Sequence, residues 1–523
     1  MSSSPKNQDE FNKIFSNLPP TRKKVLKLFL QGHTDYRIAE MLGFIDEFSS
    51  DEDKTSYVRK HIFLIRKDFG LTKKKIILEK EDHSRKSLTD LFYLYKRDWV
   101  EPYILIEPGF NFYLTTGADY FDRKQYPEAI ALFKNAIDGD RTDPIAQIYF
   151  NNSKARLQSK ETSKPSYKIA VVVAYSGNEF HVDASKHVLR GIADAQTQFN
   201  ENNGKDGRWL EIVVVNDKNQ SGIAKEVAEY LAQNSDILAV IGHHSSEGTQ
   251  AALGVYEENL IAIVSPTSTS SKLCSKNFFR TIGSTKAIAS KYVSYIKDYL
   301  NKDYLNLDRV AIFYHKDNEY SQILKDDFTE AFQGQGGKIT ELLDMTDPLL
   351  DLDEAIKNCK VEIALVLPSI ETNCVAIAIA NKNAKQPQPP KLQLLFATSL
   401  PENSTLEKGG AAVEGVVLVS PSLVKESKYM QYAKDRWQQP DLNWRVVTAY
   451  NAAQAIIEAI GRSTVVNRIA ILENLEKLDL LVDRTLGFGL GPSQINYHTN
   501  TKITYGIWQI CHGRFEEIQK III

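Results

Sequence analysis

At 523 residues, with 42% hydrophobic and 25% charged side chains, the chain is too long for one core and reads as roughly three globular units, neither disordered nor fibrous. No run approaches the ~18 apolar residues of a membrane span, and the opening "MSSSPKNQDEFNKIF" lacks the basic and apolar regions of a secretory signal, so the expectation is a cytoplasmic protein without a membrane span. The net charge of −2 hides an asymmetry: residues 1–100 carry 20 Lys and Arg against 15 Asp and Glu, a net of +5, and the remainder carries −7.

Helical periodicity opens the chain. Val25, Leu26, Phe29 and Leu30 form one apolar stripe, Ile38, Met41 and Leu42 a second, and Val58, Ile62 and Ile65 a third, which predicts three helices over residues 18–71. Gly32 suits a left-handed cap ending the first, and Thr34 can cap the second. The stretches "LPPTRKKVLKLFLQGHTDYRIAEMLG" and "TSYVRKHIFLIRKDFGL" resemble a LuxR-type helix-turn-helix, which implies a DNA-binding unit at 1–71 with the third helix as recognition helix. Arg59, Lys60, Arg66 and Lys67 are the candidate DNA contacts. The sequence departs from that family at "FIDEFSSDEDK", where Asp46, Glu47, Asp51, Glu52 and Asp53 lengthen the turn and would repel phosphates. A helical protein-interaction module that binds no DNA is the competing expectation.

Residues 72–158 read as a helical connector. Gly117, Ala118, Tyr126, Ala129, Phe133 and Ala136 are spaced so that small residues permit close helix packing while rings fill the gaps. A second helix opens at "DP" with Ala146, Tyr149 and Ala155. The stretch resembles one and a half tetratricopeptide repeats, too few to stand without a neighbour. The polar residues 159–166, with Pro165, predict an exposed linker.

From 167 onward, apolar strands alternate with amphipathic helices: "KIAVVVAYSG", "LEIVVVNDKNQ", "ILAVIGHHSS", then "DRVAIFYHKD", "EIALVLPSI" and "LQLLFATS". Strands of this kind imply parallel sheets covered on both faces, here two doubly wound lobes, with lobe one near 167–283 plus a returning segment and lobe two mainly 284–420. The ordered landmarks "LRGIADAQTQFNENNG", "AVIGHHSSEGTQAALGVYEENLIAIVSPTSTS", "FFRTIGST" and "RVAIFYHKDNEYSQILKDDF" resemble the type I periplasmic binding proteins, most closely the leucine/isoleucine/valine-binding branch, over 167–523. The expected fold class is thus α/β, a hinged two-lobed domain behind an all-α N-terminal region.

Ser245, Ser246, Gly248 and Thr249 follow a strand and open a helix, where hydroxyls and free N–H groups can meet an anion. The resemblance implies that Ser246 holds a ligand carboxylate, that Thr267 and Thr269 hold carboxylate and ammonium, and that Tyr320 covers the ligand from lobe two. The amino-acid binders place a Tyr and an acidic residue where this chain has Ser369 or Ile370, and Thr398 or Ser399. Glu371 and Glu402 lie nearby and read either as substitutes for that acidic residue or, the favoured expectation, as solvated rim positions, which leaves the amino-acid specificity open.

Catalytic and cofactor signals are lacking: there is no phosphate-binding loop, nucleophile elbow or HExxH, and Cys274, Cys359, Cys374 and Cys511 are scattered without metal spacing. His243 and His244 are adjacent, so their side chains leave a strand end on opposite faces and do not suit one metal ion. "GFGLGP" at 487–492 reads as a loop. The expectation is a non-enzymatic sensor of an amino-acid-like or amide-like molecule, acting through its N-terminal helices on DNA or a protein partner. A substrate-binding component of an amino-acid transporter and a ligand-free scaffold are the alternatives.

Overall fold

The computed structural model describes residues 8–30, 51–69, 112–175, 179–300, 308–386, 391–397, 403–421, 428–439, 442–478 and 505–521, and divides the chain into two compact units, Met1–Ala136 and Ile137–Ile523. In the first unit, α1 (Gln8–Ser16) and α2 (Pro20–Leu30) precede α3 (Asp51–Asp68). Val25 and Leu26 of α2 are buried, as are Val58, Ile62 and Ile65 of α3, and Arg22 bonds Asp68 at 2.8 Å. Because α3 starts at Asp51, the acids Asp51, Glu52 and Asp53 occupy its first turn rather than lengthening the preceding one; a helix N-terminus favours negative charge. Gly32, Thr34, Ile38, Met41, Leu42, Asp46 and Glu47 lie outside the described residues.

Two further helices, α4 (Phe112–Asp122) and α5 (Tyr126–Gly139), meet where the sequence has its small residues: a Cβ on Gly117 would lie 2.9 Å from Phe133 Cε1, and the Phe121 and Tyr126 rings sit 5.8 Å apart. Helix α6 (Pro144–Thr162) is capped by Asp143, whose Oδ1 accepts from Ile145 N at 2.8 Å, with Pro144 in the first turn where its missing N–H costs nothing. This helix runs through residues 159–162, which the polar composition assigns to a linker, and ends at Ser163 in the left-handed conformation. The polar residues are the exposed last turn of a helix whose buried face lies upstream.

In the second unit the strands β1 (Tyr167–Val173), β2 (Leu210–Asn216), β3 (Ile237–Ile241), β4 (Ala262–Ser265) and β5 (Phe278–Arg280) form a parallel sheet in the order β2-β1-β3-β4-β5. Their near-continuous Val, Ile and Ala are buried because helices α7 (Glu179–Glu201), α8 (Ser221–Gln233) and α9 (Ser246–Glu258) alternate with them. The second lobe begins with α10 (Thr285–Ser294). It continues through β6 (Arg309–Tyr314), α11 (Glu319–Gly334), β7 (Lys338–Asp344), α12 (Leu352–Asn358) and β8 (Ile363–Leu367). Next come α13 (Asn373–Ala384), β9 (Gln393–Phe396), α14 (Asn403–Gly409) and β10 (Val417–Pro421). The chain then returns to lobe one as α15 (Lys428–Trp437), α16 (Trp444–Arg462) and α17 (Arg468–Glu476), and closes lobe two with β11 (Tyr505–Cys511) and β12 (Arg514–Ile521).

Lobe two's sheet has the order β12-β11-β10-β9-β8-β6-β7, parallel except for β11 and β12. These two form a hairpin whose turn residues His512 and Gly513 both have positive φ, as a two-residue turn of the primed type needs. The returning helix α16 lies on α7 at very close range: a Cβ on Gly191 would be 2.1 Å from Val446 O, so only glycine fits. Asp194 of α7 accepts from Tyr429 Oη at 3.0 Å and Trp437 Nε1 at 2.9 Å, and burial raises its carboxyl to about 7.

Helix α6 packs on α7 and β2. Asn152 works here as an extra peptide group: its Nδ2 donates to Ile212 O at 2.8 Å and its Oδ1 accepts from Ile212 N at 2.9 Å. Arg156 grips Glu211 through two nitrogens, and Arg436 of α15 donates to Gln147 of α6. The helix expected to open a second repeat is therefore part of the ligand-binding fold.

Candidate functional site

The site starts at the carboxyl end of β3. His243 is fully buried, with Nδ1 2.8 Å from Asp217 Oδ2 and Nε2 2.9 Å from Tyr256 Oη, so it belongs to the core of lobe one. His244 turns the other way and lines a cavity between the lobes. The two rings diverge as their adjacency requires.

Ser245 then caps α9, its Oγ accepting from Gly248 N at 3.1 Å. Ser246 occupies the first helical position, and its Oγ accepts from Ser270 N at 3.2 Å, which orients the hydroxyl and leaves its proton to be donated elsewhere. The loop after β4 brings Thr267 and Thr269 to the same wall. Thr267 Oγ1 donates to His244 O at 2.8 Å, so its proton is spent on holding that loop, while Thr269 O accepts from Thr285 N at 2.7 Å at the start of lobe two. Ser245, Ser246, Thr267, Thr269 and Tyr320, all named from the sequence, line one cavity of about 80 Å³. At about 10–15 Å³ per water-sized group this leaves room for roughly five to eight such groups, the scale of a single amino acid.

Lobe two completes the walls with Tyr320 from the first turn of α11 and with Ser369, Ile370 and Glu371 after β8. Glu371, 42% exposed at its side chain, sits at the rim and bridges the lobes from there. Its Oε1 accepts from Asn219 Nδ2 at 2.7 Å and lies 3.0 Å from His181 Nε2, both in lobe one. Burial raises the Glu371 carboxyl, but the bonds from His181 and Ser369 and the charge of His181 outweigh it and hold the group at about 2. A second carboxylate reaches the opposite way: Glu247 of α9 accepts from Asn318 Nδ2 at 2.9 Å and from Glu319 N, and burial raises it despite that backbone bond. The lobes are thus pinned together by one carboxylate from each side.

Three buried wall residues escape the sequence reading. His181 of α7 and Trp444 and Arg445 at the start of α16 line the cavity, and all three are at least nine-tenths buried. The Arg445 guanidinium stacks 4.4 Å from the Trp444 ring centroid. The His181 and His244 rings meet edge to face at 5.9 Å, and burial, with His181 and Arg445 adding to it, holds His244 well below its usual value and therefore neutral. Thr398, Ser399 and Glu402 lie outside the described residues, as do residues 487–492. Among the described residues no group of three or more His, Cys, Asp or Glu is placed to hold a metal ion, and no helix is long and apolar enough to cross a membrane.

The candidate DNA contacts sit in the other unit. Lys60 and Lys67 are exposed on α3 and Arg66 is half-buried; Arg59 belongs to the same helix, with its side chain outside the described set.

A family profile described as periplasmic binding protein matches residues 166–503. The leucine-, isoleucine-, valine-, threonine- and alanine-binding protein of Pseudomonas aeruginosa is 30% identical over 145 residues, which is 27% of this chain and 38% of that protein. The matched stretch spans less than half of that relative's length. Among solved structures, the leucine binding protein LivK of Thermotoga maritima shares 18% identity at a TM-score of 0.57, covering 68% of this chain and 98% of its own. The substrate binding protein LivJ of Streptococcus pneumoniae, solved with isoleucine, shares 18% identity at a TM-score of 0.58, covering 68% and 100%. At such identities the two structures establish the fold.

Proposed function

The chain belongs to the periplasmic binding protein family, and from that premise we propose that it is a non-enzymatic, cytoplasmic sensor of a small amino-acid-like or amide-like molecule, signalling through its N-terminal helices. The observation that carries the reading is the cavity walled by both lobes, lined by Ser246 and Thr269 from one and by Tyr320 and Glu371 from the other. A ligand there touches both halves of a hinge, so its binding energy favours the closed arrangement, and differential affinity is what shifts a two-state equilibrium. Ser246, with its proton to donate and the N-terminus of α9 behind it, takes the ligand's anionic end, with Thr269 beside it. Thr267 serves by fixing the loop, and Tyr320 closes over the ligand.

The output passes to the helix-turn-helix-like segment, whose Arg59, Lys60, Arg66 and Lys67 meet DNA or an acidic protein surface. Titrating the full chain with amino acids and amides in a calorimeter tests the binding half: Ser246→Ala should weaken the best ligand by ten- to about a hundredfold, the value of one charge-assisted hydrogen bond. No heat with any compound would reject it. A gel-shift titration in salt, with and without ligand, tests the output, since phosphate contacts weaken steeply as salt rises. A transport receptor is the second reading, suggested by the transporter role of the Streptococcus protein; recovery of the protein outside the cytoplasm would favour it over a sensor.

A further inference from the structure

Asp217, His243 and Tyr256 are fully buried in lobe one and are not among the cavity's lining residues. The His243 ring lies between the other two, with Nδ1 2.8 Å from Asp217 Oδ2 and Nε2 2.9 Å from Tyr256 Oη. A carboxylate accepts from Nδ1–H of the neutral and the charged imidazole alike, and a hydroxyl either donates or accepts, so the ring is held at both nitrogens in either state. The other oxygen of Asp217 serves a different loop: Oδ1 accepts from Asn219 N at 2.9 Å, in a turn where Lys218 and Asn219 both have positive φ. Left-handed backbone costs a residue with a Cβ more than it costs glycine, so this turn depends on its hydrogen bonds. Asn219 Nδ2 is the group that reaches Glu371 across the cleft, at 2.7 Å. The backbone of His243 meets a third loop, its carbonyl accepting from Ser268 Oγ at 3.1 Å between Thr267 and Thr269, and Ser245 and Ser246 follow it in the chain.

We infer that His243 is a positioning residue, through which anchoring of the ligand and latching of the lobes become one event. The inference rests on the proposed ligand-binding role of the cleft and adds how its two tasks are joined. The loops after β2, β3 and β4 each supply one part of the site: Asn219 the latch, Ser246 the anion anchor and Thr269 the wall beside it. All three meet at His243, whose ring takes Asp217 and whose carbonyl takes Ser268. Core packing would ask only for a ring of this volume, whereas these bonds tie the latch turn to the anchor loop. When Glu371 accepts from Asn219, the Asp217 turn is fixed, and with it the loop that aims the Ser246 hydroxyl. An open latch leaves the anchor loose. The ligand is then held firmly in the closed arrangement alone, which is the differential affinity that a sensor needs.

Hydrogen exchange on the full chain without ligand tests the joint. His243→Phe, which keeps a ring and loses both of its bonds, should speed exchange of the Asn219 and Gln220 amides by about tenfold or more, the worth of one hydrogen bond. Amides of β6 and β8 in lobe two should be unchanged. His243→Asn, whose side-chain amide can still donate to Asp217, should keep the turn near its wild-type rate. Wild-type exchange at Asn219 and Gln220 in a folded His243→Phe chain would overturn the inference. A calorimetric cycle leaves His243 in place and decides the matter even if that variant does not fold. The probe is whichever of L-leucine, L-isoleucine, L-asparagine and L-glutamine binds the wild-type chain most tightly. Ser246→Ala and Asn219→Ala combined should cost at least about threefold less affinity than the product of their separate losses, because loosening the latch already loosens the anchor. Losses that simply multiply would overturn the joint while leaving the cleft a ligand site. Binding of none of the four would overturn it together with the ligand-binding reading.

Discussion

Glu247 and Glu371 reach across the cleft in opposite directions, and their surroundings push their acidities apart. Glu371 is held at about 2, below its ordinary 4.5, so its contribution to lobe closure is complete above about pH 4.5 and is lost as pH falls toward about 2. Ligand affinity that depends on this latch should be flat between pH 7 and 5 and fall below 4.5. Glu371→Gln should remove that acid limb and weaken binding at pH 7 by about three- to tenfold, a charge-assisted bond discounted for the half-exposed carboxylate. Glu247 is raised by burial, so its charge at neutral pH is a cost, and its contribution is lost as pH rises through its raised value. Glu247→Gln keeps an acceptor for Asn318 Nδ2 and Glu319 N and removes the charge. It should leave ligand affinity unchanged or improved, whereas Glu247→Ala, which strands two donors, should weaken it. The same calorimetry across pH reads all three variants.

Among the elements, α6 is where sequence pattern and tertiary role part company. Its Asn152 satisfies both backbone groups of Ile212, so Asn152→Leu should cost about 2–5 kcal/mol in thermal or denaturant unfolding, the price of two orphaned groups. A chain starting at 164 should likewise unfold earlier than one starting at 137. The strands and helices of the two lobes were legible because their apolar runs and alternation follow directly from burial on two faces, and Ser245 and Ser246 because a strand-to-helix junction positions them. The docking of α6 was not, since its polar buried face, Asn151, Asn152 and Arg156, looks like solvent contact until the partners Gln196, Ile212 and Glu211 are beside it. His181, Trp444 and Arg445 were hidden for a related reason. They stand on α7 and α16, more than 240 residues apart, and only Gly191 lets those helices approach closely enough to share a wall. Glu371 keeps its rim exposure, and its bridging role was not legible because its partners His181 and Asn219 belong to the other lobe.

For the molecule as a whole, the hinge matters most. Residues 281–284 carry the chain from β5 to α10, and there a Cβ on Gly283 would lie 2.4 Å from the Tyr505 ring, which opens β11 and is itself buried. Gly283→Ala should force these two segments apart. The expected result is a weaker ligand affinity, on the order of tenfold if the hinge shifts by ~1.4 kcal/mol, and a larger radius of gyration by small-angle scattering with ligand present. Unfolding of each lobe should be unaffected.

Trp444 stands in the cavity wall at 5% exposure, capped by the Arg445 guanidinium, whereas the other described tryptophans, Trp209, Trp437 and Trp508, are not among the cavity's lining residues. An indole's emission follows the polarity and charge around it. The protein therefore carries a built-in optical gauge of cleft occupancy, selective by position, and its fluorescence colour can follow filling and emptying of the cleft in real time without any added dye.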